Sequence, residues 1–168
     1  MKVKVIMVAL LSLSFSFTYA QNEKPNREAF TLQLPVDGVR YYEQKVEKSP
    51  YFVREKILQI YPGEELLVEV EIERNEIISM KVVKENLNPE KTIKINFTQT
   101  VEERKSKFMM LEIINPFEKD LEYKAMMFIV GQDRLINTNV LPVEAKLISY
   151  EIWPDVIISL VLTEWKLK

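Results

Sequence analysis

From Phe30 onward, apolar and polar residues alternate at every second position, and a helical period is almost absent. The clearest run is Glu65-Leu66-Leu67-Val68-Glu69-Val70-Glu71-Ile72-Glu73. It places Leu66, Val68, Val70 and Ile72 on one side and Glu69, Glu71 and Glu73 on the other. Side chains alternate across a strand, so the pattern predicts an antiparallel β-strand with one dry face and one wet face. Wound into a helix, the same residues would spread acid and apolar groups around the whole cylinder. The stretch 92–100 repeats the pattern, with Ile93, Ile95 and Phe97 opposite Lys94, Asn96 and Thr98.

Turn-forming clusters divide the chain at regular intervals: Tyr61-Pro62-Gly63, Glu73-Arg74-Asn75, Leu87-Asn88-Pro89, Asn115-Pro116, Gly131-Gln132-Asp133 and Trp153-Pro154-Asp155. Between them lie runs of strand length at 30–36, 41–47, 52–60, 65–74, 77–84, 92–100, 107–115, 121–130 and 156–167. Residues 101–106 (VEERKS) read as a polar loop. Three runs, 109–114, 125–130 and 156–162, are apolar on both faces, which predicts central strands or strands covered by another segment. Neither a repeat nor a linker divides the chain. The expectation is an all-β protein: a single immunoglobulin-like antiparallel β-sandwich of about 7–9 strands over residues 30–168. A small closed β-barrel is the structural alternative.

The first twenty residues depart from this pattern. Lys2 and Lys4 open the chain, an apolar stretch follows from Val5 to Phe17, and Thr18-Tyr19-Ala20 supplies small residues before Gln21. These are the three regions of a secretory signal peptide. The apolar run falls short of the ~20 residues a membrane span needs, and Ser12, Ser14 and Ser16 interrupt it. Residues 1–20 are therefore expected to be cleaved, leaving an exported, periplasmic or extracellular protein without a transmembrane span. Residues 21–29 (QNEKPNREA) are polar and are expected to be a flexible N-terminal segment.

Composition removes whole classes of chemistry. The 168 residues contain 0 Cys and 0 His. A disulfide scaffold, a lipid-bearing Cys, a Cys/His zinc site and every triad that needs His are excluded. A chain that does not rely on oxidative folding suits a bacterial envelope. The formal charge is −2, with 23 basic residues interspersed among 25 acidic ones, so there is no stripe for nucleic acid. Gly38, Gly63 and Gly131 stand far apart and form no phosphate loop. No cofactor or metal is expected.

The remaining candidates are surfaces. Tyr41, Tyr42 and Tyr51, with Arg54 beside them, make an aromatic and cationic stretch able to contact a sugar or a protein; Phe52, Tyr61 and Arg40 lie in the same region. The row Glu69, Glu71, Glu73 reads as a solvated face paired to basic neighbours rather than a calcium site, because it lacks loop carbonyl and Asp ligands. Met109-Met110 and Met126-Met127 read as core filler, with an apolar ligand cavity as the alternative. Asn96-Phe97-Thr98 matches a glycosylation acceptor but falls within a strand, and Asn115-Pro116-Phe117 reads as a strand-ending turn.

The segment Ser149-Tyr150-Glu151-Ile152-Trp153-Pro154-Asp155, the run from Val156 to Trp165, Asn115-Pro116-Phe117 and Leu121-Glu122-Tyr123-Lys124-Ala125 together resemble small uncharacterised bacterial exported proteins with an immunoglobulin-like sandwich. The resemblance implies a fold and an address, and carries no catalytic residues. The functional expectation is a non-enzymatic exported sandwich that binds or packs against another envelope or extracellular component. Contact through side chains is favoured over strand addition, because the Lys- and Glu-rich strands look blunted at their edges. The alternatives are a carrier of a small apolar ligand and a carboxylate-based hydrolase.

Overall fold

The computed structural model describes residues 22–168, so the predicted leader at 1–20 lies outside the described residues. The chain is all-β. Ten strands form two five-stranded antiparallel sheets that pack face to face, and neither sheet closes into a barrel.

The first sheet runs β13 (Ile148–Trp153), β10 (Lys105–Ile114), β9 (Thr92–Glu102), β7 (Glu65–Glu73), β8 (Glu76–Val83). The second runs β12 (Ile136–Thr138), β11 (Leu121–Ile129), β14 (Ile157–Leu167), β6 (Ile57–Ile60), β5 (Phe52–Arg54). Two small ribbons complete the structure: β1 (Asn26–Arg27) with β4 (Ser49–Pro50), and β2 (Phe30–Pro35) with β3 (Tyr41–Val46). Among the described residues, one 3-10 turn occupies Pro89–Lys91.

The alternating positions land where period two requires. Leu66, Val68 and Val70 are buried and Ile72 is half-buried against the core, while Glu71 and Glu73 face solvent. Ile93, Ile95 and Phe97 meet them from β9, and Leu58, Leu121, Leu160 and Leu162 arrive from the second sheet. The three two-sided apolar runs are central, as their composition demands: β10 lies between β9 and β13, β11 between β12 and β14, and β14 between β11 and β6.

On β14 the alternation is reset twice. Phe128 pairs with Ser159 but Ile129 pairs with Ile157, so Ile158 is an extra residue. A bulge of this kind transfers the following residues to the other face. Ile157 therefore joins Leu160 and Leu162 in the main core, while Ile158 and Val156 face a second apolar cluster formed with Leu32, Leu34 and Val46 of the β2–β3 ribbon. A second irregularity, between Glu122 and Lys124, coincides with Glu164 at φ 54° and turns Trp165 inward.

Two expectations change. Residues 101–106 are a tight hairpin rather than a loop: Val101 and Glu102 end β9, Lys105 and Ser106 begin β10, and Glu103 and Arg104 make the turn at φ 49° and 63°. Positive φ at both central residues matches the right-handed twist of the flanking strands, as it does at Arg74 and Asn75 between β7 and β8. The longer strands match the expected runs, but the run expected at 52–60 folds back on itself as β5 and β6, which pair antiparallel; this division, the short β1, β4 and β12 and the six-residue β13 raise the strand number above expectation.

The second change concerns the N-terminal segment. From Asn22 on it is anchored: Lys84 N–H donates to the Asn22 carbonyl, Lys24 N–H to Val82 and Tyr51 N–H to Pro25. Arg27, only 2% exposed, is the largest fully buried side chain. Its guanidinium donates to Glu64 Oε1 at 2.9 Å, to the Gln59 carbonyl at 2.6 Å, to the Pro50 carbonyl at 3.0 Å and to Ser49 Oγ at 3.2 Å. It lies 4.7 Å from the Tyr51 ring centre and 5.0 Å from that of Tyr61. A buried cation is stable only when paired and fully hydrogen-bonded, and here six residues from β4 and the adjoining Tyr51, from β6 and from the Tyr61–Glu64 turn surround it. Glu64 completes the knot by accepting from Tyr61 N–H at 2.9 Å. Replacing Arg27 with Ala leaves the Glu64 carboxylate without its cation and empties a large buried volume. We predict a loss of about 3–5 kcal/mol in urea unfolding. Arg27→Lys is expected to recover only part of it, because an ammonium cannot replace the guanidinium fork.

Candidate interaction surface

Tyr41, Tyr42, Tyr51 and Arg54 do not form one patch. Tyr51 is buried in the main core, roofed by Arg27 and with Lys24 5.4 Å from its ring centre. Tyr42 is half-buried against the second cluster, and its hydroxyl donates to Gln44 Oε1 at 2.7 Å. Arg54 is exposed at the end of the edge strand β5. Tyr41 alone is a surface aromatic, 63% exposed. Adjacent strand residues point to opposite sides, so the Tyr41-Tyr42 pair divides between solvent and core.

Tyr41 lies on a cleft of about 550 Å³ between the tips of the β2–β3 and β9–β10 hairpins, with Pro35, Val39, Arg40, Val101 and Arg104 among its walls. The ribbon is tied to the first sheet at this point. Gln99 Nε2 donates to the Pro35 carbonyl at 2.8 Å, Ser106 N–H donates to the Val36 carbonyl, and the backbones of Asp37 and Lys105 form an isolated antiparallel β-bridge. Val39, at 91% exposed, and Val101 add apolar surface to the rim.

Asp37 builds the β2–β3 turn. Its Oδ1 accepts from Arg40 N–H at 2.8 Å and from Val39 N–H at 3.2 Å, while Oδ2 accepts from Arg40 Nε at 2.6 Å. Gly38, between them, sits at φ 90°; a Cβ there would meet only ordinary contact with the Glu103 carbonyl, so conformation rather than space calls for glycine. The Arg40 backbone N–H, then its side chain, hold the Asp37 carboxyl down at about 2.

The acidic row stands apart from the cleft. Glu69 carries an ion pair to Lys81 at 3.1 Å and accepts from Asn88 Nδ2 at 2.7 Å, and Glu71 accepts from Ser79 Oγ at 2.9 Å. Burial opposes ionisation of Glu69, but the Asn88 and Lys81 hydrogen bonds with the Lys81 and Lys91 charges outweigh it and lower its pKa. Glu69 and Glu71 lie two positions apart on one strand and line the same wall of a shallow hollow. An ionised carboxylate there has no proton to donate, and the two do not face each other across a cleft. Met109 and Met127 are buried in the core. Asn115 closes a corner, with Nδ2 donating to Lys119, Val143 and Glu144 carbonyls and Oδ1 accepting from Phe117 N–H.

A second surface was hidden from the sequence because β13 lacks flanking turn signals on its N-terminal side. Ile148, Tyr150 and Ile152 alternate on its outer face and are 48%, 52% and 58% exposed. Their neighbours on β10 are Ile114, Glu112 and Met110. The Tyr150 hydroxyl donates to Glu112, which raises the tyrosine pKa. The Ile-Ser-Tyr-Glu-Ile-Trp alternation is the signal that could have found this strand, which the expected runs did not include.

Comparisons with protein families, with characterised proteins and with solved structures find no match to this chain.

The Asp37 turn generates a pH test. Its folded-state pKa lies below the ordinary carboxylate value of 3.8, so its turn contacts are complete above that value and are lost as pH falls through about 2. The expected outcome is a carbon-13 carboxyl titration of Asp37 near 2, with the Val39 and Arg40 amide shifts following it. A midpoint near 3.8 would show that the turn contacts are not held in solution.

Proposed function

We propose that this is an exported, non-enzymatic binding module, immunoglobulin-like in build, that engages another envelope or extracellular component through the cleft between the β2–β3 and β9–β10 hairpin tips. The observation that carries the reading is the combination of one exposed tyrosine, two guanidinium groups and exposed valines around a concave surface. Tyr and Arg dominate the energetics of protein interfaces because they combine large contact area with directional polar groups. Arg40 is oriented by Asp37, whereas Arg104 makes no ion pair among the described residues and is free to meet an anionic group of a partner. The leader-like residues 1–20 supply the motive for export.

The carrier reading is less favoured: one methionine of each pair, Met109 and Met127, packs into the shared core, and the inner faces of the sheets form one continuous cluster of buried side chains. The hydrolase reading has no facing pair of carboxylates to stand on at the acidic row.

The test is retention of envelope components by the immobilised mature protein. Tyr41→Ala combined with Arg104→Ala is expected to reduce retention of a specific component at least about tenfold while the thermal midpoint stays unchanged. Equal retention by the double variant would remove the cleft as the binding surface.

A further inference from the structure

We propose that two copies of this chain associate through β13, edge to edge and antiparallel, joining their first sheets into one continuous sheet. The inference uses none of the cleft's residues and stands apart from the reading above.

The edges of the sandwich are treated unequally. β8 is flanked at its C-terminal end by residues 22–24, through the Glu23–Val83 bridge and the Lys24 hydrogen bond to Val82. β5 and β12 have three residues each, and β5 is broken by a register shift. Short, covered or irregular edges resist pairing. β13 is six residues long, pairs with β10 through an unbroken register, and receives no backbone hydrogen bond on its other side from the described residues. Its single charge, Glu151, points to the opposite face from the Ile148-Tyr150-Ile152 stripe and accepts from Leu141 N–H at 2.8 Å. Neither lysine nor proline interrupts the strand itself.

The charge pattern selects the occupant and the register. A two-fold axis perpendicular to the sheet keeps the outer face on the outside, so each residue meets one of its own parity, and the axis passes through a residue facing its own copy. Centred on Glu151, the pairing opposes two carboxylates. Centred on Ser149, it pairs only residues 148–150 of the strand and leaves Ile152 without a partner. Centred on Tyr150, it sets Ile148 against Ile152, Tyr150 against Tyr150, and Glu151 against the neutral Ser149. Only the last pairs five residues of the strand without opposing like charges. The β10 partners extend the match: Met110 and Ile152 of one copy continue into Ile148 and Ile114 of the second, giving an unbroken apolar row on each side of the tyrosine pair. Cross-strand apolar and aromatic pairs of this kind stabilise sheets.

A six-residue edge buries less than the ~1,200 Å² of a tight complex, so association is weak and concentration-dependent. Sedimentation equilibrium of the mature protein is expected to show a mass rising towards the dimer as concentration approaches roughly 1 mM. Ile152→Lys, an exposed substitution that leaves the thermal midpoint unchanged, is expected to hold the protein monomeric. The chain has 0 Cys, so Tyr150→Cys introduces a single thiol. Opposed residues of an antiparallel pair have Cα atoms about 4.5–5.5 Å apart, within disulfide range. Tyr150→Cys is therefore expected to oxidise to a covalent dimer roughly tenfold faster than Ile78→Cys on the exposed edge strand β8. A monomeric mass throughout, a dimer unaffected by Ile152→Lys, or equal cross-linking at the two positions would each overturn the proposal. The first of these would leave the stripe to a different partner.

Discussion

The constraint on which the molecule rests is that two sheets must each turn a continuous apolar face towards the other, although side chains alternate strictly along every strand. Regular alternation meets that demand on β7 and β9, where Leu66, Val68 and Val70 face Ile93 and its neighbours without interruption. It fails on β14, which must serve two clusters at once. The bulge at Ile158 and the positive-φ residue Glu164 each shift the chain by one position. Without them, Ile157 and Trp165 would lie on the opposite face from Leu160 and Leu162. The β2–β3 ribbon then has a physical reason to exist, since it covers the apolar residues that β14 presents outward.

The N-terminal strap shows how polar sequence becomes structural. Arg27 sits in a stretch that composition marks as solvated, yet it is buried between two tyrosine rings with an acid and two carbonyls around it. Partners separated from it by more than twenty residues make that burial tolerable. Such a group contributes less net energy than its contacts imply, because desolvation opposes them. What it provides is specificity: β4, β6 and the Tyr61–Glu64 turn must all be in place before the charge is satisfied.

The surfaces divide along the same lines. The cleft at the hairpin tips is held by short-range devices, the Asp37 turn and the positive-φ pair Glu103–Arg104, so its walls are built locally and brought together by the ribbon's attachment to the first sheet. The outer face of β13 arises differently. Its apolar stripe belongs to an edge strand and remains in solvent, whereas the outer-face residues Met110 and Ile114 of β10 and Met126 and Phe128 of β11 are half-buried, flanked by neighbouring strands on both sides.

The all-β class, the sandwich, the longer strands and the central place of three two-sided runs were legible in the sequence, because period-two alternation and turn residues are local signals. The row Glu69, Glu71, Glu73 was legible as one strand face, but its expected pairing to basic neighbours holds only for Glu69 with Lys81: Glu71 meets Ser79 and Glu73 lies opposite Glu76. Grouping Tyr41, Tyr42, Tyr51 and Arg54 was not legible: proximity along the chain does not survive a pattern that sends adjacent residues to opposite faces and adjacent strands to different sheets. Arg27 appeared solvent-bound because the atoms that pair with it are distant in sequence. Likewise β13 looked unremarkable beside the blunted Lys- and Glu-rich strands, since being an edge is a property of sheet order. Alternation along the chain determined which residues would be dry as a set; only the order of the strands decided which of those dry faces would find a cover.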